Sequence, residues 1–249
     1  MRYTRTLVGN TAVVTYLQKT AKNGIVPRAQ LWVGPDHIGK TTFLINHLFQ
    51  TWCDKQSACQ RCPTCIRLKH DSHSGLRWLD GADVDMDTIR AVIRESAETN
   101  FTTAKRAIVI EAAEQLSLQV CNALLKVLEE PRGTVILYLL TTSLETLPAT
   151  LVSRCSLLRF HPVPDAELIA AWPEHAAIVP WCYGRPGLVP TLRLHELERW
   201  STVLQTSPVE RLTGIGELKR PEALRQLEQL EIAVHRQLLT NPTDSVWAL

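Results

Sequence analysis

Residues 34–41 have the residue types and spacing needed to bind a phosphate group. They read GPDHIGKT and fit the pattern G-x4-G-K-[ST] in full, directly after the short apolar run LeuTrpVal at 31–33. In such a loop backbone N–H groups surround phosphate oxygens, the lysine bridges the terminal phosphates and the threonine hydroxyl holds Mg2+. Two plainer interpretations remain open: a strand-to-helix turn with an exposed Lys40, and a loop that holds nucleotide without turnover. The spacing predicts a nucleotide-binding loop, with ATP or ADP and Mg2+ as its ligands.

The residues that would activate water are incomplete. In P-loop enzymes a later strand ends in an acid that supports Mg2+, and in many of them the next residue is a Glu that polarises the attacking water. Here the apolar run 107–110 is followed by Glu111, which can reach a magnesium-bound water, and by Ala112, which cannot accept a proton. Glu114 is expected to point elsewhere if the chain turns there. We therefore expect independent ATP hydrolysis to be slow or absent.

Four cysteines within residues 53–65 predict a metal site. Three of them follow C-x-x-C spacing, which aims neighbouring sulfurs at one point and suits a tetrahedral Zn2+. The alternatives are reduced surface thiols and a redox C-x-x-C pair. His70 and His73 lie nearby, but four sulfurs already complete a closed structural site without an open position for water. The predicted ligands are Cys53, Cys59, Cys62 and Cys65.

The rest of the sequence supplies alternating strands and helices to position these groups. Such alternation predicts a mostly parallel sheet covered by helices. After Pro162 the pattern changes to short helical stretches broken by prolines and then to leucines at helical spacing, among them Leu194, Leu197, Leu204, Leu224, Leu227, Leu230 and Leu238. The predicted strands are 31–33, 76–79, 107–110 and 134–140, and the predicted helices are 40–53, 86–98, 118–130 and 194–239.

Composition excludes some classes of function. The formal net charge is +2, too small to indicate a nucleic-acid surface by electrostatics alone. The longest apolar run, VILYLL, is far shorter than the roughly 20 residues that cross a bilayer, so no membrane partner is expected. The first residues have no apolar signal region, and we expect a cytoplasmic protein.

Two further segments carry a family resemblance. Residues 121–135, CNALLKVLEEPRGTV, and 141–155, TTSLETLPATLVSRC, resemble the bacterial DNA polymerase III clamp-loader subunits, as do the P-loop and the cysteine insertion behind its helix. Within that group the chain looks more like delta-prime than like the gamma/tau ATPase. The resemblance implies an AAA+ nucleotide domain in which the four cysteines bind zinc and Arg154 of Ser-Arg-Cys reaches the ATP site of an adjacent gamma/tau subunit. Ser143 would take the sensor-1 place.

The resemblance predicts three regions of the chain and a set of nucleotide-binding residues. The expected fold is an α/β AAA+ domain at 1–162 with the zinc module 53–65, a helical lid at 163–193, and a shortened C-terminal helical region at 194–249. That last region is expected either to be a reduced collar that packs on neighbouring subunits or simply to cover its own domain. The candidate nucleotide-binding residues are Gly34, Gly39, Lys40, Thr41, Thr42, Glu111 and Ser143.

Departures from the ATPase pattern favour one function. The family's ATPases carry Asp-Glu where this chain has Glu111-Ala112, and an arginine after a Gly-x-Pro-Gly turn where it has Leu188, while Arg185 is displaced. These losses beside an intact Ser-Arg-Cys predict a stator that donates Arg154 in trans and does not hydrolyse ATP itself. The resemblance implies gamma/tau and delta subunits, the sliding clamp and primed DNA as partners. The alternatives are a gamma/tau-like ATPase and a stand-alone zinc-containing nucleotide-binding module.

Overall fold

The computed structural model describes residues 7–24, 26–97, 105–129, 135–204, 227 and 229–236. The chain forms two compact units, Met1–Pro162 and Val163–Leu249. The first unit contains one five-stranded sheet in the order β2-β3-β4-β1-β5, and every pairing is parallel. The strands are β1 (Ala29–Val33), β2 (Leu76–Asp80), β3 (Arg106–Glu111), β4 (Val135–Thr141) and β5 (Ser156–Arg159).

Helices cover the sheet, as the alternating pattern predicts. All of β1 and the four central residues of β3 are buried, as expected of parallel strands with helices on both faces. Glu98, Glu130 and Thr134, at the ends of predicted elements, lie outside the described residues. The helices of this unit are α1 (Thr11–Lys22), α2 (Lys40–Trp52), α3 (Pro63–Lys69), α4 (Met86–Ala97), α5 (Leu118–Glu129) and the single turn α6 (Ala149–Val152).

Alternate residues of the strands face two different cores, because successive side chains of a strand point to opposite faces. Trp32 and Tyr138 pack into the first core with α1 and α2. Leu31 and Leu139 pack into the second core with α4, α5 and α6. The cysteine segment belongs to the first core, since Cys65 is buried within it. The P-loop helix and the cysteine segment therefore share one apolar core.

Helix α1 and strand β5 are absent from the predictions, and the structure joins both to the edge of the sheet. The side chain of Asn10 donates to the carbonyl of His161 at 3.0 Å and accepts from its N–H at 2.8 Å. This pair ties the start of α1 to the residues that follow β5. A strand of four residues with one buried side chain leaves too weak a pattern in the sequence to be recognised.

The second unit consists of short helical pieces around its own core. Helix α7 (Asp165–Ala171) is followed by three single 3-10 turns that begin at or near prolines, and then by α8 (Leu194–Leu204). Residues 229–236 are also helical. Leu188, Leu197 and Ile232 are buried in one cluster, so the described helices of the C-terminal region pack on the segment before them. The remainder of the predicted 194–239 helix, including Leu224 and Leu238, lies outside the described residues.

A helix that spans a membrane must be long and predominantly apolar. Within the described part of the chain, each helix is too short or too polar to cross a bilayer.

Candidate functional site

The P-loop leaves the carboxyl end of β1 and enters α2, as the sequence predicts. The N–H of Gly34 donates to the carbonyl of Thr141 at the end of β4, at 3.2 Å, and this bond fixes the loop to the neighbouring strand. Gly39 immediately precedes α2 and has φ +101°, which an L side chain rarely adopts. The second glycine is thus required by the backbone, and the loop opens at the carboxyl edge of the sheet, where open α/β sheets bind ligands.

Gly34 is required for a different reason, which predicts a loss of stability on substitution. A Cβ at this position would lie 2.8 Å from both the Cβ and the carbonyl oxygen of Phe160. We expect Gly34→Ala to destabilise the folded chain by about 1–3 kcal/mol, because the backbone that follows β5 must shift. Chemical denaturation followed by circular dichroism measures the free energy of unfolding.

Gly24→Ala is the matched control for this substitution. An added Cβ there meets nothing within 4 Å, and the cost comes from the backbone φ of +67° alone. We expect a loss of about 1 kcal/mol at Gly24. If Gly34→Ala proves no more costly than Gly24→Ala, the close approach to Phe160 does not constrain the loop.

Lys40 is 9% exposed and lies over the loop that it follows. Its Nζ donates to the carbonyl oxygens of Gly34 at 2.5 Å and Pro35 at 3.0 Å. Burial lowers the pKa of Lys40, whereas the charges of Asp36 and Glu114 act in the opposite direction. The ammonium group is therefore held at the mouth of the loop by carbonyl oxygens and faces a negative environment.

Thr41 and Glu111 are brought together although they come from different elements. The Thr41 hydroxyl donates to Glu111 Oε1 at 2.5 Å, and the indole N–H of Trp78 donates to Glu111 Oε2 at 2.8 Å. A hydroxyl and a carboxylate side by side are the oxygen ligands that Mg2+ prefers. Trp78 was missed at the sequence level, since nothing in the spacing links a tryptophan on β2 with the residue that ends β3.

Glu114 occupies a position that the sequence did not predict. It lies in a 3-10 turn after β3, and its carboxylate accepts from the Thr142 hydroxyl at 2.7 Å and the Thr142 N–H at 3.2 Å. Its charge also acts on Lys40, so Glu114 belongs to the same edge of the sheet as the P-loop. The expectation that it points elsewhere holds in one respect, because Thr142 occupies both of its oxygens.

Ser143 lies directly after β4 and is fixed by local hydrogen bonds. Its N–H donates to Thr141 Oγ1 at 3.3 Å, the Thr141 hydroxyl donates to its carbonyl at 2.7 Å, and its Oγ accepts from the N–H of Glu145 at 3.1 Å. Thr42 follows Thr41 on α2, where its backbone carbonyl accepts a hydrogen bond from the side-chain amide of Asn46. The carboxyl ends of β1, β4 and β3 thus bring the P-loop, Ser143 and Glu111 to one edge.

The residue after Glu111 offers no side-chain base. Ala112 has a methyl side chain and a left-handed backbone with φ +47°. Positioned general bases contribute typically 10²–10⁴-fold to a rate, and a methyl group contributes none of this. The edge therefore presents groups suited to holding phosphate and Mg2+, while the position that in many P-loop enzymes carries the water-activating Glu is apolar.

The four predicted cysteine ligands converge. The sulfur atoms of Cys53, Cys59, Cys62 and Cys65 all lie within 4.8 Å of one another. That spacing matches four sulfurs around one tetrahedral ion with metal–sulfur bonds of about 2.3 Å. His73 has other partners: its ring lies 4.8 Å from that of Trp52, and its Nδ1 accepts from the N–H of Gly75. The cysteine cluster can therefore hold a metal ion without a histidine.

Backbone N–H groups donate to three of the four sulfurs. Cys53 Sγ accepts from the N–H groups of Lys55 and Cys59, and Cys62 Sγ accepts from that of Cys65, each at 3.4 Å. Burial by itself would raise the pKa of Cys53, but the backbone hydrogen bonds outweigh it and lower the pKa to about 5. Cys65 differs, because burial raises the pKa of its thiol. The fit to a zinc ion, which binds thiolates, therefore rests on the convergence of the four sulfurs.

Arg154 is exposed on the turn that follows α6. Its NH1 donates to the carbonyl of Thr150 on the same helix, at 3.1 Å. The adjacent Cys155 is half-buried, and burial raises the pKa of its thiol to about 11, so it is inert as a nucleophile near neutral pH. Of the Ser-Arg-Cys motif, the arginine presents its charged group to the surface.

The predicted lid segment has a leucine where the resemblance implies an arginine in the family's ATPases. Leu188 ends the 3-10 turn Pro186–Leu188 and is fully buried. Arg185 precedes the turn; its Nε donates to the carbonyl of Cys182 at 3.4 Å, and its guanidinium lies 6.0 Å from the Tyr183 ring centroid. An apolar side chain in the core cannot contact a phosphate, so Leu188 offers no replacement for a sensor arginine.

Several known proteins are similar in sequence to this chain. The chain is 28% identical over 155 residues to DNA polymerase III subunit delta′ of Bacillus subtilis, covering 61% of this chain and 47% of that protein. It is 25% identical over 228 residues to the delta′ subunit of Pseudomonas aeruginosa, covering 88% and 65%. Gamma and tau subunits also match, among them tau of Bacillus subtilis at 26% identity. The chain thus spans less than two thirds of the length of these delta′ relatives.

Solved structures share the fold. RuvB of Thermotoga maritima superposes with a TM-score of 0.54 over 96% of this chain and 77% of that one, at 14% identity. This likeness establishes an AAA+ fold, as expected from the sequence. A family model described as "DNA polymerase III, delta subunit" matches residues 9–164. Because that match covers more than half of the 249 residues, the chain belongs to this family of AAA+ clamp-loader subunits.

Proposed function

We propose that this chain is a delta-prime-type subunit of a bacterial DNA polymerase III clamp loader. It acts as a stator: Arg154 completes the ATP site of a neighbouring gamma/tau subunit while the complex places the sliding clamp on primed DNA. Gamma/tau and delta subunits are its direct partners, and the cytoplasm is its expected location. The observation that carries this proposal is the contrast between an exposed Arg154 and the apolar Ala112 at the chain's own site.

The two halves of that contrast have different physical effects. An arginine supplied to a neighbour's phosphoryl-transfer site offsets the charge that develops on the phosphate, and is worth about 10³–10⁵ in rate. Arg154 is exposed, so its guanidinium can be reached by another subunit. The chain's own edge retains Lys40, Thr41 and Glu111, which suit nucleotide binding, and lacks a base to activate water.

Two cofactors belong to this proposal. Zn2+ in the four-cysteine cluster fixes residues 53–65 and has no catalytic part, because four thiolates leave no position for water. ATP or ADP with Mg2+ occupies the P-loop, with Thr41 and Glu111 on the side of the metal. In this arrangement the P-loop contributes binding and folding energy without turnover.

A gamma/tau-like ATPase is the second candidate, favoured by one contact. The hydrogen bond between Thr41 and Glu111 places a magnesium-binding pair beside a complete P-loop. A third possibility, a stand-alone zinc-containing nucleotide-binding module, has less support because the family match includes the Ser-Arg-Cys segment. Co-purification with gamma/tau and delta subunits separates the third from the first two.

Turnover by the purified chain separates the first two. We expect the isolated chain with Mg2+ and ATP to hydrolyse at least about 100-fold more slowly than a gamma/tau subunit assayed in parallel, because a positioned base is missing. Phosphate release at saturating ATP measures this. Lys40→Ala serves as the reference for background hydrolysis. A rate comparable to gamma/tau that Lys40→Ala abolishes would establish the ATPase and refute the stator.

A further inference from the structure

A cavity lies at the amino-terminal edge of the sheet, away from the P-loop. Its volume is about 930 Å3, within the range of ligand pockets. Three of its lining residues lie at the starts of parallel strands: Arg28 precedes β1, Arg106 begins β3 and Val135 begins β4. The P-loop follows the opposite end of β1. This cavity is therefore separate from the candidate nucleotide site described above.

The charges of the lining are all positive. Lys22, Arg28, Lys105 and Arg106 line the cavity, and among its described lining residues there is no aspartate or glutamate. Lys105 Nζ donates to the carbonyl of Thr51 at 2.6 Å, which fixes its ammonium group at the wall. Like charges gathered around a concave surface attract an anion and raise its local concentration. The cavity thus suits a ligand with several negative charges.

A buried polar side chain also lines the cavity. His47 on α2 is 2% exposed, and within the described residues neither Nδ1 nor Nε2 has a hydrogen-bond partner. Burial lowers the pKa of His47 to about 4, so the ring is neutral near pH 7 and offers one donor and one acceptor. Trp52 and Tyr138 line the cavity beside it. This part of the wall suits an uncharged ring with polar edges.

We propose that this cavity binds a phosphate-bearing ligand of nucleotide size. The phosphate lies among Lys22, Arg28, Lys105 and Arg106, and the ring lies against the wall formed by His47 and its aromatic neighbours. A free mononucleotide and the 5′-phosphorylated end of a nucleic-acid strand share this chemistry. The inference is independent of the role of Arg154 and of turnover at the P-loop.

The cavity also touches the cysteine segment. Gln56, Ser57 and Ala58, which line it, belong to the loop between the ligands Cys53 and Cys59. A ligand in the cavity therefore contacts a loop whose two ends are held by the metal cluster. Removal of the metal is expected to weaken binding in the cavity, because the loop then loses its fixed ends.

Binding of thymidine 5′-monophosphate tests the proposal, with the zinc-loaded full chain carrying Lys40→Ala so that the P-loop does not contribute. We expect saturable binding by calorimetry, and a roughly 100-fold weaker affinity when Lys22→Gln and Arg28→Gln are combined, since each lost charge-assisted contact costs about tenfold. Both side chains are exposed, so the double variant should fold. Arg94→Gln, an exposed charge on α4 outside the cavity, is the matched control.

Hexathymidylate with and without a 5′-phosphate, titrated in the same way, identifies the source of the ligand. Tighter binding of the 5′-phosphorylated strand than of the mononucleotide assigns a strand end, and the reverse assigns a free nucleotide. The proposal is overturned if neither probe binds, or if Arg94→Gln weakens binding as much as the double variant does. Nitrogen signals of the His47 ring that stay unshifted at saturation would contradict the placement of the ligand ring.

Discussion

If the chain acts as proposed, Arg154→Ala should remove the stimulation that it gives to the DNA-dependent ATPase of the proposed gamma/tau partners. An arginine finger is worth about 10³–10⁵ in rate at the site it completes, so a loss of about 10³-fold or more is expected at that one site. The side chain is exposed, so we expect the variant to fold and to assemble as the original chain does. Phosphate release by the reconstituted complex measures the rate.

Arg159→Ala is the control for this substitution. Arg159 is an exposed arginine at the end of β5, five positions after Arg154. Its substitution by alanine removes the same charge from the same unit. We expect Arg159→Ala to leave the stimulated rate within about twofold of the original, as exposed charges screened by salt act weakly at a distance. Equal losses in the two variants would mean that overall charge, and not a positioned guanidinium, supports the neighbour's reaction.

Cys62→Ser should abolish tight zinc binding and unfold residues 53–65. The purified chain is expected to carry one zinc ion, and apparent binding free energies of structural zinc sites are about 10–16 kcal/mol. Cys53 and Cys65 belong to the first core, so loss of the metal should also lower the stability of the sheet domain by several kcal/mol. Elemental analysis gives the zinc content, and thermal unfolding gives the change in stability.

Cys155→Ser tests whether this effect belongs to the cluster. Cys155 is a half-buried thiol outside the four, and the change should cost no more than about 1–3 kcal/mol with zinc content unchanged. The metal assignment fails if the original chain, purified without chelators, holds less than about half an equivalent of zinc. It also fails if Cys62→Ser and Cys155→Ser have the same stability and the same metal content.

Much of the sheet was predictable because its central strands β3, β4 and β1 are largely buried on both faces. AlaIleValIle at 107–110 and ValIleLeuTyrLeuLeu at 135–140 are uninterrupted apolar runs, which in an alternating pattern indicate parallel strands. Strand β5 has four residues and one buried side chain, so it leaves no comparable pattern. Helix α1 was not predicted, although Val13 and Leu17 lie one turn apart and are both buried.

Some parts of the candidate sites were predictable from the sequence and others were not. The P-loop and the cysteine cluster depend on spacing along the chain, so the sequence contains them and the structure brings the four sulfurs together. The contacts of Glu111 with Trp78 and of Glu114 with Thr142 join residues 28 or more positions apart. Those contacts depend on strand order, in which β3 lies between β2 and β4, and one sequence does not reveal that order.

The cavity at the amino-terminal edge of the sheet could not be predicted from the sequence either. Its four cations come from the end of α1, the residue before β1 and the start of β3. The formal net charge of +2 gives no sign that these charges are clustered. Parallel strands bring their starts to one edge, which gathers Arg28, Lys105 and Arg106, and the end of α1 adds Lys22. His47 is buried on α2, and the lack of hydrogen-bond partners for its ring among the described residues is a property of the packed core that the sequence does not show.

The position of Arg154 in an assembled complex tests the central claim most directly. A structure of this chain with gamma/tau and delta subunits, primed DNA and a slowly hydrolysed ATP analogue would give that position. We predict the Arg154 guanidinium about 3 Å from a terminal phosphate oxygen of the nucleotide on the adjacent gamma/tau subunit. A guanidinium that stays on the Thr150 carbonyl of its own helix, with no neighbour's phosphate in reach, would contradict the account.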